Sequence, residues 1–376
     1  IHHRLVGSEM CIRDRFYARL NTLAVIFTSD TKGRGLNHIR VTVKRLINLS
    51  RANVSPATVS RFFNSPEVVR SPTRKRIEDA ASDLGYIRDR MAGAMHNRFS
   101  GTFGLIVPTI DNAIFAELIE AFSTRLQERD RTMLIAAHGY DLTLETAIVR
   151  SLLERRIDGI ALVGFDHNSV ALNMLEQRDV PVISIWNYQK DAALPCIGAD
   201  NIHAGHLIAD HIAALGHQDI ALVFPEVTNN DRARDRLTSV RQTLESHSIH
   251  VTEARILSCS YDVGEAKKLG LTMLNRDPPS AVICGNDVIA LGMVYAANCL
   301  GIDVPGDVSI AGIGDFRGSE HLEPGLTTVR MPAKRIGLAA ADTLLHISET
   351  GMVPDPSNQS IPVELKVRNS TGRRQP

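Results

Sequence analysis

From residue 101 onward, short apolar runs alternate with longer amphipathic stretches, and this alternation constrains the fold more than any other feature. The runs fall at 102–107, 133–137, 159–163, 180–185, 220–224, 281–284 and 308–312. Between them, 113–129, 143–155, 203–215, 232–247, 263–275 and 287–300 carry apolar residues at helical spacing. A parallel strand pair needs a crossover, and a helical crossover covers one face of the sheet. Strand, helix, strand, repeated, therefore predicts parallel sheets covered on both faces. Two such units fit, roughly 101–198 and 199–326. A last helix at about 332–348 and a strand at 361–368 complete a two-lobed α/β body over 101–376. Its first lobe is expected from about 101–198 and 327–360, its second from about 199–326 and 361–376.

The segment ahead of the body is of another kind. Residues 39–87 read as three short helices. The second starts at Ser55-Pro56-Ala57-Thr58-Val59-Ser60-Arg61. Ser55 can cap free backbone N–H groups, and Pro56 suits the first helical position, where its missing N–H has no partner to lose. Val59, Phe62 and Phe63 share one face. Pro56, Ala57, Ser60 and Arg61 point elsewhere, a set that can lie in a DNA major groove. Taken alone, it is equally a capped surface helix. The third helix starts at Ser71-Pro72, again a cap followed by proline, runs through Ile77, Ala80, Ala81 and Leu84, and stops at Gly85. Arg70, Arg74, Lys75 and Arg76 cluster near its start, and Tyr86 and Ile87 follow as a packing anchor. Residues 88–100 read as a basic hinge linker. Its small residues and Gly93 make it at most a marginal helix.

Charge separates the same two parts. The 376 residues are formally neutral, with 42 Lys and Arg against 42 Asp and Glu. Residues 1–100 carry 18 basic and 8 acidic side chains, leaving 24 and 34 for the rest. A basic head on an acidic body suggests a polyanion for the head alone. Cys11, Cys196, Cys259, Cys284 and Cys299 form no C-x-x-C pair and read as free thiols. No apolar run reaches membrane-spanning length, and no signal-peptide core precedes the head. A cytoplasmic, nucleoid-associated protein is the expectation. Residues 6–15 look like a translated sequencing adapter, so 1–38 is set aside as a non-native leader. It holds six of the basic residues; 39–100 still carries 12 basic against 5 acidic.

The order of motifs resembles the lactose-repressor family of bacterial transcription regulators, from about residue 53 to the C-terminus. The head motifs are Val54 through Arg61 and Asp83-Leu84-Gly85-Tyr86. In the body they are Gly104-Leu105-Ile106-Val107-Pro108, Asp158-Gly159-Ile160, Leu215-Gly216-His217 and Asn286-Asp287. Asp307 through Gly312 and Leu326-Thr327-Thr328-Val329 complete the set. Phe62, Phe63, Pro66-Glu67, His138-Gly139-Tyr140 and Gly312-Ile313-Gly314-Asp315 look most like the gluconate-repressor branch. The resemblance implies a helix-turn-helix head on a periplasmic-binding-protein-like body of two Rossmann-like lobes. It implies a homodimer on near-palindromic operator DNA, and a small effector between the lobes.

Carried over residue by residue, the resemblance assigns DNA contacts to Ser55, Pro56, Ala57, Thr58, Ser60 and Arg61. Arg90 joins them from the linker, with Arg88 and Arg98 neutralising phosphates. Met95 stands where a hinge leucine wedges into the minor groove, and a methionine can fill that role. Effector contacts fall on Phe115, Trp186, Arg236 and Asn286. Each has a plainer alternative: core packing for Phe115 and Trp186, a charged helix face for Arg236, a helix cap for Asn286.

Departures sharpen the expectation. Gly314 and Trp186 stand where acidic cleft residues are common in the family, while Arg236 is kept, which suits a sugar acid as well as a sugar. Between Val41-Thr42 and Ser55 there are two residues more than the family spacing, from an insertion or a frame change upstream of about Arg51. The expected function is a DNA-binding regulator, in all expectation a repressor, of sugar or sugar-acid utilisation. The alternative is a sugar-binding protein whose head is damaged. No nucleophile elbow, phosphate loop or catalytic set points to an enzyme, and no cofactor or metal is expected. His203, His206 and His211 read as a solvated helix face.

Overall fold

The computed structural model describes residues 54–86 and 99–374, apart from the side chains of Pro56 and Asn64. The leader, the helix expected before Ser55, and Arg88, Arg90, Met95 and Arg98 of the linker lie outside the described residues. The chain divides into two compact units, one on each side of residue 96.

In the first unit, α1 (Pro56–Asn64) and α2 (Ser71–Asp83) flank a single 3-10 turn, Pro66–Val68. The Ser55 hydroxyl accepts from the Thr58 amide at 3.2 Å and caps α1. α2 has Arg70 at its cap position, and no side chain caps it, so Ser71 is the first helical residue and not the expected cap. Val59 and Ile77 are buried between the helices, against Val54, Phe62, Phe63, Leu84 and Tyr86. The Tyr86 amide donates to Ala81 at 2.8 Å, turning the chain back at left-handed Gly85 and laying Tyr86 against Phe63.

The second unit holds two six-stranded sheets. In chain order the elements are β1 (Thr102–Val107), α3 (Ala113–Gln127), β2 (Thr132–Ala137), α4 (Leu142–Glu154), β3 (Ile160–Val163) and α5 (Ser169–Glu176). They continue with β4 (Val182–Asn187), β5 (Cys196–Ala199), α6 (Asn201–Ala214), β6 (Ile220–Phe224), α7 (Asp231–Ser246) and β7 (Ile256–Ser258). The last are α8 (Val263–Arg276), β8 (Ala281–Cys284), α9 (Asp287–Leu300), β9 (Ser309–Gly314), β10 (Thr327–Arg330), α10 (Ala333–Thr350), β11 (Asn358–Ser360) and β12 (Glu364–Lys366). The first sheet runs β11-β5-β4-β3-β1-β2, all parallel. The second runs β12-β10-β9-β8-β6-β7, parallel except for β12.

Both faces of each sheet are buried, as parallel sheets require. Along β1, Phe103, Leu105 and Val107 enter one core and Ile106 the other. On the first face α3 packs closely against α10: a Cβ at Gly337 would approach the Leu118 carbonyl at 2.6 Å.

The second lobe is longer than expected at its end. Thr327 pairs with Ala311, so β10 belongs to the second sheet and the chain crosses back after Arg330, not at 327. Buried Thr327, Thr328 and Val329 extend that sheet before Pro332 breaks the strand. The expected strand at 361–368 is resolved as β12, with β11 just before it in the other sheet. α5, β5 and β7 were not foreseen; each is short and weakly patterned.

Candidate functional site

The strands of both sheets end toward a common cleft, the place where open parallel sheets bind ligands. The lining residues come from strand ends, the loops beyond them and the first turns of α3 and α7. The first lobe supplies Asn112, Ile114 and Phe115 after β1, Tyr140 after β2 and Trp186 in β4. The second supplies Arg232 and Arg236 in α7, Tyr261 after β7, Asn286 after β8 and Phe316 after β9. The cleft holds about 300 Å³, part of it open to solvent.

Phe115, Trp186, Arg236 and Asn286, four residues singled out from sequence, are thus brought together from across 171 positions of chain. Phe115 and Trp186 pack with ring centroids 5.3 Å apart. Trp186 is buried with a left-handed backbone, φ 79°, which turns its indole at the end of β4. The Asn286 side-chain oxygen accepts from the Ile289 amide at 3.0 Å, so it caps α9 while lining the cleft. Arg236 is 5% exposed; its Nε donates to the Arg232 carbonyl at 3.0 Å.

Sequence reasoning missed Arg232, Tyr140, Tyr261 and Phe316. Arg232 precedes Arg236 by one helical turn, a spacing that puts both on one face of α7. Its Nη1 donates to the Val163 carbonyl at 3.1 Å and to Asp231 at 2.6 Å. Its Nη2 is buried and meets no acceptor among the described residues. Tyr140 stacks on Tyr261, ring centroids 6.2 Å apart, and burial pushes its phenol well above the usual range. It is a neutral hydrogen-bonding group at any physiological pH.

Nearby carboxylates are engaged elsewhere. Asp231 accepts from the Phe165 amide and from Asn187, both at 2.9 Å, across the lobe boundary. Asp235 accepts from Asn187 at 2.8 Å, and burial raises its pKa. Asp315 pairs with Arg330 and Arg368. Asp287 is buried, which raises its pKa, and accepts from Thr328, Ser319 and the Phe316 amide, fixing the loop that carries Phe316. Gly314 adopts φ 149°, and a Cβ there would collide with the Phe316 ring. Local packing thus favours glycine at this position.

In the head unit, Ser55, Ala57, Ser60 and Arg61 are exposed and Thr58 is half-buried. Arg70, Lys75 and Arg76 are exposed on α2. The three histidines of α6 differ from the solvated face expected of them. Only His203 is exposed; His206 bonds Thr243, and His211 bonds Thr371 at 2.9 Å, because this helix lies between α7 and the C-terminal segment.

A helix-turn-helix unit joined to a two-lobed binding body defines a ligand-responsive class of transcription regulator, and comparisons with known proteins agree. Residues 50–89 match the model of bacterial regulatory proteins of the lacI family, and 209–371 match a periplasmic binding protein-like domain. The HTH-type transcriptional regulator reg1 of Streptomyces lividans is 31% identical over 343 residues, covering 86% of this chain and 94% of the relative. The transcription regulator GntR of Chromobacterium violaceum is 27% identical, with TM-score 0.68, over 72% of this chain and 99% of that one. The lac repressor dimer bound to operator and an anti-inducer is 25% identical, with TM-score 0.74, over 86% and 98%. The chain belongs to the lacI family of bacterial regulatory proteins. It is a DNA-binding transcription regulator.

Proposed function

We propose that the protein is a homodimeric repressor of a carbohydrate or sugar-acid utilisation operon, acting in the cytoplasm on nucleoid DNA. A two-fold dimer presents two α1 helices to successive major grooves, so its operator is near-palindromic. Pro56 and Ala57 read bases, Ser60 and Arg61 contact bases and phosphates, and Ser55 and Thr58 fix the start of the helix against the backbone. Arg90 and Met95 extend the contact from the linker. A small effector bound by Phe115, Trp186, Arg236 and Asn286 changes operator affinity by favouring one arrangement of the lobes. The domain limits are those read from sequence, with the return crossing moved to after Arg330.

The observation that carries this reading is the convergence of those four residues on one interlobe cleft in a chain that also has a capped α1. Relatives named GntR, from Pseudomonas aeruginosa and Escherichia coli, are each 28% identical, which supports the sugar-acid side of the proposal. No catalytic role is proposed. The test is a gel-shift series on palindromic DNA with the full chain, Arg61→Ala and Met95→Ala. Loss of binding in the variants supports the docking. Unchanged binding in both sinks it, and no binding by a folded parent chain favours a sugar-binding protein with a damaged head.

A further inference from the structure

We propose that the cleft selects an anionic ligand, a carboxylate or phosphate carried on a sugar-like body, and that Arg232 reads its charge together with Arg236. This rests on the reading of the cleft as the effector site and names the class of effector. The cleft is rich in donors and poor in acceptors. Arg232 lines the cleft at 3% exposure, and its buried Nη2 has no acceptor among the described residues. Leaving such a donor unmade is costly, so its persistence points to a partner supplied from outside the chain. Arg236 stands one turn away with only Nε engaged in a protein hydrogen bond among the described residues.

The side-chain amide oxygens that could accept from a neutral sugar's hydroxyls are already engaged as helix caps. The Asn112 side-chain oxygen caps α3 at the Ile114 amide, and the Asn286 oxygen caps α9. No carboxylate lines the cleft among the described residues. Asp231 offsets one guanidinium, so the two arginines leave one uncompensated positive charge beside unfilled donors. Two guanidinium groups fit the several acceptor oxygens of a carboxylate or phosphate. The aromatic walls, Phe115, Trp186 and Tyr140, fit the apolar face of a sugar-like body. Arg232 also bonds Val163 and its partner Asp231 bonds Phe165, both in the first lobe. An anion on Arg232 therefore binds to the residue that ties α7 across the lobes.

Trp186 is the single tryptophan of the chain and reports on the cleft directly. Its fluorescence is titrated with D-gluconate, D-glucose 6-phosphate and D-glucose at constant ionic strength. At least one anion is expected to bind tenfold or more tightly than glucose, and which one separates carboxylate from phosphate. Arg232→Gln is expected to weaken that anion tenfold or more, and Arg232→Lys by less, with folding checked by circular dichroism. Asn286→Asp keeps a capping oxygen but adds a carboxylate to the cleft, and is expected to weaken the anion without weakening glucose. Glucose binding as tightly as both anions, or an anion bound equally by parent and Arg232→Gln, overturns the inference while the cleft remains the effector site. No saturable change with any of the three overturns it as well; silence across a wider set of neutral sugars then removes the effector reading too.

Discussion

The head and the cleft place their functional side chains in opposite environments. On α1 the proposed DNA contacts Ala57, Ser60 and Arg61 are exposed, on a helix that buries Val59 against Ile77 of α2. In the cleft the residues proposed to bind the effector are buried: Phe115, Trp186 and Asn286 are each 3% exposed, on strands and helices fixed by two large cores. The head presents an interchangeable surface to a large, charged, hydrated partner, where phosphate contacts dominate affinity. The cleft meets a small partner, and must strip water from it and answer each polar atom. Changes to the head's support are therefore expected to cost the whole of its function, whereas changes in the cleft alter selectivity within an intact fold.

The largest expected effect follows from the small size of the head core. Ile77→Ala removes a fully buried side chain, a change that costs about 2–5 kcal/mol in well-packed cores. Operator binding is expected to vanish while Trp186 fluorescence and body melting stay unchanged. A loss of body stability would show that the two regions are not separable in this way. Next is Arg61→Ala, which leaves the head folded. It is expected to weaken operator binding about tenfold or more and to reduce the slope of log affinity against log salt by about 1, measured by anisotropy.

Asn286→Ala is expected to lower body stability by about 1 kcal/mol through the lost cap of α9, and to weaken effector binding at the same time. A stability loss alone would reduce Asn286 to a capping residue. The smallest effect is in pH dependence. Burial pushes His211 and His217 below the usual histidine range. The unfolded chain then binds protons near pH 6.5 that the folded body does not, so stability is complete above that pH and falls as pH drops through the lowered folded values. The body's melting temperature is expected to fall between pH 7.5 and 5.5, and His217→Asn to flatten the fall. Asp235 and Asp287, raised by burial, act in the opposite sense.

What was legible in sequence follows the same division. The α1 cap, its apolar face and its exposed residues are local, decided within nine positions, and they could be read directly. The doubly covered sheets followed from strand–helix alternation, which a parallel topology imposes on the whole chain. Short elements escaped: β5 is four residues containing Gly198, and β7 three residues, too few to show a period. The cleft could not be derived from spacing, because its residues lie after seven different strands and meet only in the fold. Resemblance supplied four of them. Arg232 was discoverable, since Arg232 and Arg236 share a helical face, but the alternating charges of that segment look like an exposed surface until Val163 and Asp231 are seen to bury them. The packing of the Phe316 ring over Gly314 is tertiary and leaves no mark in the spacing of residues.

The central claim is that an occupant of the body's cleft governs what the head does on DNA. The most direct measurement selects duplexes from a randomised pool with the full chain, then follows anisotropy of the enriched duplex as D-gluconate, D-glucose 6-phosphate or D-glucose is added. The account predicts a near-palindromic consensus and a saturable change in affinity with an anion, lost in Arg232→Gln. Enrichment of a palindrome whose affinity no ligand alters, although the same ligands saturate Trp186, would contradict it.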